Sequence, residues 1–224
     1  TQYRYSHRDP GVEYLRTAPK RPLKILAVDI GTGTQDILLF DSRLNIENGY
    51  KMVLPSPTMM VRERIRQAAA EKRSIVLSGV IMGGGPCVWA ALDNIKAGLK
   101  VFATQEAAKT FDDDLEKVGQ MGITLVSEDE ARRLPSDVVR IEMKDFDFDL
   151  IRRAYTGFGV SFADLEAIAV AVFDHGDAPP GISDRRYRFE YLDRRVREMN
   201  SLGAFAYARE DIPADLTRMQ AVAR

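Results

Sequence analysis

Residues 24–41 read KILAVDIGTGTQDILLFD, two apolar runs around a polar, glycine-bearing centre. Ile25–Ile30 is an apolar run broken only by Asp29, and Ile37–Phe40 is a second one. Runs this continuous read as strands too buried to need alternation. Between them lie Gly31, Thr32, Gly33, Thr34, Gln35 and Asp36. Six small or polar residues between two strands make a hairpin, and its glycines admit positive φ and bring backbone amides close to an anion. The outline is that of a phosphate turn.

Asp29 is the odd residue in the first strand. A carboxylate at the end of a buried strand is costly unless it is hydrogen-bonded or faces a cation. Its place beside the Gly-Thr turn suggests that it holds a hydrated divalent metal, with Thr32, Thr34 and the amides of Gly31 and Gly33 facing phosphate oxygens. An aspartate that caps its own turn fits the same pattern, and the residues alone leave both readings open. The dinucleotide fingerprint does not fit, because Asp36 stands where the third glycine belongs and a strand follows where that motif needs a helix.

Outward from the hairpin, Tyr50–Leu54 reads as a third strand, and Ser56 followed by Pro57 caps a helix whose apolar face is Val61, Ile65, Ala68 and Ala69. Residues 74–82 read as a fourth buried strand ending in Gly83, Gly84, Gly85 and Pro86. A helix with Val88, Ala91, Leu92 and Ile95 on one face follows, then a fifth strand over residues 100–104. Three strands in a meander, then helix, strand, helix, strand, is the succession of the ribonuclease H-like core of actin-type ATPases and many nucleases. The expected fold is therefore α/β, with a mixed sheet in which strands four and five run parallel to the first and helices cover both faces. Farther on, a capping box at Ser127 and Glu130 starts a short helix, residues 138–143 alternate as a strand, and residues 148–155 read as a helix. Residues 167–173 read as a buried strand, and Asp184 as the cap of a long helix with Phe189, Leu192, Val196 and Met199 inward.

Composition narrows the function classes. The chain has 224 residues, 45% of them hydrophobic, enough for one large domain or two small ones. Residues 1–22 form a polar extension, and residues 23–224 the domain proper. Lys and Arg number 32 against 33 Asp and Glu, so no basic footprint for nucleic acid exists and no nucleic-acid partner is expected. One cysteine excludes a disulfide framework within the chain. No apolar run is long enough to cross a bilayer, no membrane partner is expected, and the expected location is cytoplasmic.

Ligands of open α/β sheets gather at strand carboxyl ends, and three such ends carry chemistry. The first is Asp29 with its turn. The second is Gly83-Gly84-Gly85, where amides of the following helix's first turn meet an anion, or where the glycines merely allow close packing. Cys87, just inside that helix, is either a thiol activated by the helix dipole or a small buried residue. The third is Asp174-His175, a carboxylate and an imidazole able to orient water or bind metal, or a self-satisfied turn.

The motifs DIGTGTQD, SGVIMGGGP and VFDHG together resemble those of an uncharacterised prokaryotic family labelled pyruvate formate-lyase activating enzyme-like, over residues 23–224. The first motif is also similar to the first phosphate motif of the actin, Hsp70 and sugar-kinase superfamily. By that resemblance Asp29, Gly31, Thr32, Gly33 and Thr34 meet ATP phosphates and Mg²⁺. Radical activating enzymes need three closely spaced cysteines for an iron–sulfur cluster, and this chain has one, so the label's chemistry is excluded for it. The superfamily closes ATP between two similar domains. No second phosphate hairpin is found here, so the expectation is an N-terminal half that lacks its partner half or self-associates, and that binds ATP weakly alone. The resemblance implies ATP and Mg as cofactors and a phosphotransferase or ATP-dependent ligase acting on an unidentified small molecule, with Asp29, Asp174 and His175 as catalytic candidates. A metal-dependent ribonuclease H-like nuclease and a non-catalytic nucleotide-binding module are the alternatives.

Overall fold

The computed structural model describes residues 21–174, 176 and 181–224. His175 and residues 1–20 of the polar extension lie outside them. The central hairpin forms as its two apolar runs demand: β1 (Lys24–Ile30) pairs antiparallel with β2 (Thr34–Asp41), and β2 with β3 (Tyr50–Pro55). The turn is tighter than its composition suggested. Only Gly31, Thr32 and Gly33 lie between the strands, closed by the Gly31 amide donating to the Thr34 carbonyl at 2.9 Å. Thr34, Gln35 and Asp36 belong to β2, where Gln35 is buried and donates from Nε2 to the Pro55 carbonyl. Backbone pairing has overridden the polar side chains, since every ladder bond left unmade would cost a buried partner.

The strands after the meander do not extend this sheet, which corrects the expected arrangement. They belong to an α/β unit of their own, built from α1 (Pro57–Ala70), β4 (Ile75–Gly79), α2 (Pro86–Lys96), β5 (Val101–Thr104), α3 (Gln105–Ala108), α4 (Leu115–Gln120), β6 (Thr124–Val126), α5 (Glu128–Arg133) and β7 (Val139–Met143). Its four parallel strands take the order β6-β5-β4-β7. The place beside β1 goes instead to β8 (Ala167–Val172), parallel to it, so the mixed sheet has the order β3-β2-β1-β8. An apolar run states that a strand is buried on both sides; it does not state which strand lies next to it.

The parallel sheet is covered on both faces. Ile75 and Leu77 point with Val101, Ala103, Ile141 and Met143 into a core shared with Val61 and Ile65 of α1 and Ala91 of α2. Val76 points the other way, onto Ala131 of α5. The mixed sheet is packed on one face only. Leu26, Val28, Ile30, Ile37 and Leu39 meet Ile151 and Tyr155 of α6 (Phe148–Gly157), and Phe162 stands edge-on to both Phe148 and Tyr155. The Tyr155 hydroxyl donates to the Tyr50 carbonyl at 3.0 Å, so the helix is tied to β3 as well.

The last helices differ from their sequence pattern. β8 is an exposed edge strand rather than a buried one, with Ile168 43% accessible. α7 (Asp184–Met199) is capped by Ser183, which accepts from the Arg186 amide, and not by Asp184. Phe189, Val196 and Met199, expected to face inward, are exposed. The periodicity was that of an amphipathic helix, but no core lies beneath all of it. The chain ends in α8 (Thr217–Val222).

Candidate functional site

Both sheets end on one cleft. In the parallel sheet the chain leaves β4 toward β5 on one side and returns as β7 on the other, so the β4–β7 carboxyl ends form a switch point, where open α/β sheets hold ligands. In the mixed sheet β1 and β8 are parallel neighbours, and their carboxyl ends are Asp29–Ile30 and Val172–Phe173. A cleft of about 520 Å³ is lined by Asp29, Gly31 and Thr32 from the hairpin, by Gly83, Gly84 and Gly85 from the loop between β4, which ends at Gly79 rather than Met82, and α2, and by Arg218 of α8. Two candidate strand ends, some fifty residues apart in the chain, are thus brought together.

The N-terminus of α1 joins them. The Ser56 hydroxyl donates to the Thr32 carbonyl at 2.6 Å, and the Ser56 amide to the Gly33 carbonyl. Two residues along, the Thr58 hydroxyl donates to the Gly83 carbonyl at 2.8 Å. Helix α2 starts on the same cleft, its N-cap Gly85 held at φ +61, where a side chain would strain the backbone. Two long helices therefore begin there, and their dipoles make the cleft favourable for an anion. Close packing also explains the glycine run: a Cβ on Gly83 would lie 2.8 Å from both Arg218 Nη2 and Thr58 Oγ1.

Under the glycines lies a buried ion pair that the sequence did not reveal. Asp145, just past β7, has a fully buried carboxylate that receives Arg218 Nε at 2.6 Å and Nη2 at 3.0 Å, and also the Gly83 amide. Arg218 Nη1 donates to the Phe173 carbonyl at 2.6 Å. One guanidinium therefore ties α8 to the ends of β7 and β8, and with them the two walls of the cleft. The only available signal was an aspartate just after a strand; Arg218 sits in a tail without pattern.

The remaining candidates separate in role. Asp29 is exposed, so the expected burial cost is absent, and its partner in register across β1–β2 is Asp36, also exposed. Like charges directly opposite each other disfavour the pairing, and a bound cation offsets that repulsion. Thr32 and Gly33 form the exposed tip of the turn; Thr34 lies in β2, paired with Pro55. Asp174 is engaged by backbone: it accepts from the Gly176 amide at 2.9 Å and caps α8 through the Met219 amide at 2.7 Å. His175 lies outside the described residues. Cys87 is buried, with Sγ on the Gly83 carbonyl, and burial pushes its thiol up to about 12. It is a packing residue and not a nucleophile at neutral pH.

Among the described residues no three His, Cys, Asp or Glu side chains stand close enough to hold a metal ion by themselves. Asp29 and Asp36, opposite each other in register across β1 and β2, are the exposed carboxylates of the hairpin.

These features define an α/β protein with a mixed and a parallel sheet whose strand ends share an anion-favouring cleft. The chain belongs to the DUF1786 family, described as "Putative pyruvate format-lyase activating enzyme", whose model matches residues 82–224. No curated protein matches it. Among solved structures it is similar to the Aquifex aeolicus member of the Ppx/GppA protein family, at 15% identity over 49% of this chain and a TM-score of 0.15. The match spans 37% of that protein.

Proposed function

We propose that the cleft binds the phosphate chain of ATP with a magnesium ion, and that the protein is an actin-like nucleotide-binding protein that transfers a phosphoryl group to a small molecule. The observation that carries this reading is the convergence of the Asp29 hairpin and the Gly83–Gly85 run on one cleft at the N-termini of two helices. The order β3-β2-β1-β8 supports the actin-like part, since it is that of a ribonuclease H-like sheet with an α/β unit inserted after the third strand.

In this reading Asp29 holds the hydrated cation, with Asp36 beside it. The turn tip at Thr32 and Gly33 and the first turn of α2 take phosphate oxygens. Magnesium would neutralise and orient those oxygens. The residues of this chain bind and align the phosphates and supply no covalent nucleophile, which suits a transfer that depends on positioning and electrostatics. Asp29→Ala should weaken Mg²⁺-ATP binding by about tenfold or more in calorimetry, the loss of one charge-assisted contact. Unchanged affinity would remove Asp29 from the site and this reading with it.

A further inference from the structure

The phosphate cleft opens into a second, larger space whose lining overlaps the proposed phosphate site only at Asp29 and Asp36. A hollow of about 1050 Å³ lies over the open face of the mixed sheet, under α7 and the segment that follows it. Its floor is made shallow by small side chains, Ala27, Ala169 and Ala171, and its roof carries the rings of Tyr187, Tyr191 and Tyr207. The roof is braced: the Tyr187 hydroxyl donates to Asp215 Oδ2 at 2.7 Å, and the hydroxyls of Tyr191 and Tyr207 are hydrogen-bonded to each other. With the hydroxyls so engaged, carbon surface makes up most of the lining, and Asp29, Asp36, Lys51, Asp174 and Arg188 are its charged members. Its size is at the upper end of small-molecule sites, and its lining is the apolar, aromatic kind that such sites use.

The two spaces are continuous. Asp29 and Phe173 line both, and so does Arg188, whose guanidinium lies 4.3 Å over the Phe173 ring. A ligand filling both must be polar and anionic at one end and flat and apolar at the other, with a cation at the carboxylate between them. Resting on the phosphate reading above, we propose that the hollow is the base site of the nucleotide, where the adenine ring stacks over the alanine floor beneath the tyrosines. This chain would then hold both ends of its nucleotide, rather than the phosphates alone.

Comparing Mg²⁺-ATP with Mg²⁺-tripolyphosphate tests this directly, because the two share the phosphate chain and differ in the base and ribose. ATP should bind at least about tenfold tighter, the gain expected from stacking one base on aromatic side chains. Ala169→Leu, which fills the floor from an exposed position that lines only the hollow, should abolish that difference, and Tyr191→Ala should reduce it. Thermal unfolding of both variants checks that they fold. Equal affinity of the wild-type chain for the two ligands overturns the base site while leaving the phosphate site standing; if sedimentation then shows a dimer, the hollow is an interface between copies. An ATP advantage that survives in Ala169→Leu also overturns it. Binding of neither ligand removes the phosphate reading and the base site together.

Discussion

The two sheets are of equal strand number and differ in how they are covered. The parallel sheet is sealed on both faces, by α1 and α2 on one side and α5 on the other. The mixed sheet is sealed only by α6, and its other face opens on the hollow beneath α7. The parallel unit therefore has a core of its own, while the mixed sheet has half of one. The lesson is a division of labour: the well-buried sheet fixes the position of the glycine run and of Asp145, and the half-open sheet leaves the hollow next to it. A region with few buried contacts can open without unfolding the rest, which is where ligand-responsive motion is expected.

The largest effects should come where the two regions are joined. Removing the guanidinium in Arg218→Ala leaves Asp145 buried without its counter-charge, and breaking such a pair costs about 3–5 kcal/mol. Urea unfolding should register that loss, whereas breaking the solvent-screened Arg197–Asp193 pair with Arg197→Ala should leave the unfolding midpoint almost where it was. A small loss in Arg218→Ala would mean that the sheets are held together elsewhere.

Truncation within each sheet sharpens the contrast. Leu77→Ala, in the sealed sheet and fully buried, should destabilise by about 2–5 kcal/mol. Val53→Ala, on the open face and 63% accessible, should stay within about 0.5 kcal/mol. Comparable losses at both positions in chemical denaturation would show that the open face is covered in solution.

Acid should act first on the mixed sheet. At its base, Asp41 receives Arg43 Nε at 2.8 Å and Nη2 at 2.5 Å, and these bonds lower its carboxyl from the ordinary 3.8 to about 2. Asp164 is lowered too, chiefly by its hydrogen bond to Lys24 and then by Arg43. A carboxylate whose folded pKa is depressed contributes stability that is present above its unfolded value and lost as pH falls through the folded one. Stability should thus decline between about pH 4 and pH 2. Arg43→Gln should flatten that decline, and amide exchange should show β1 and β2 loosening before β4. Loss of both sheets at one pH would contradict their independence.

Much of the local structure was legible. The paired apolar runs specified the hairpin, Ser56-Pro57 and the Ser127–Glu130 box specified helix starts, and alternating or periodic residues specified β7 and α6, because each signal lies within a few residues and is read by the local backbone. The two glycine runs that line the cleft were legible for the same reason, although β4 stops at Gly79, short of the second run. The burial of β8 and α7 was not. Apolar residues and helical period state what a segment can bury, and whether something lies against it is a property of the whole chain.

The α/β class, the glycine-bearing hairpin and the glycine run before α2 were set by the sequence, because all three follow from short-range conformational preference and hydrophobic pattern. Only the tertiary structure decided that β8, and not β4, lies beside β1, and that the hairpin and the glycine run share one cleft. It alone decided that Arg218 neutralises Asp145 from 73 residues away and that an aromatic hollow adjoins the cleft. Parallel strand pairing and buried ion pairs join residues distant in the chain, and the free energy that selects them belongs to the assembled packing rather than to any stretch that could be read alone.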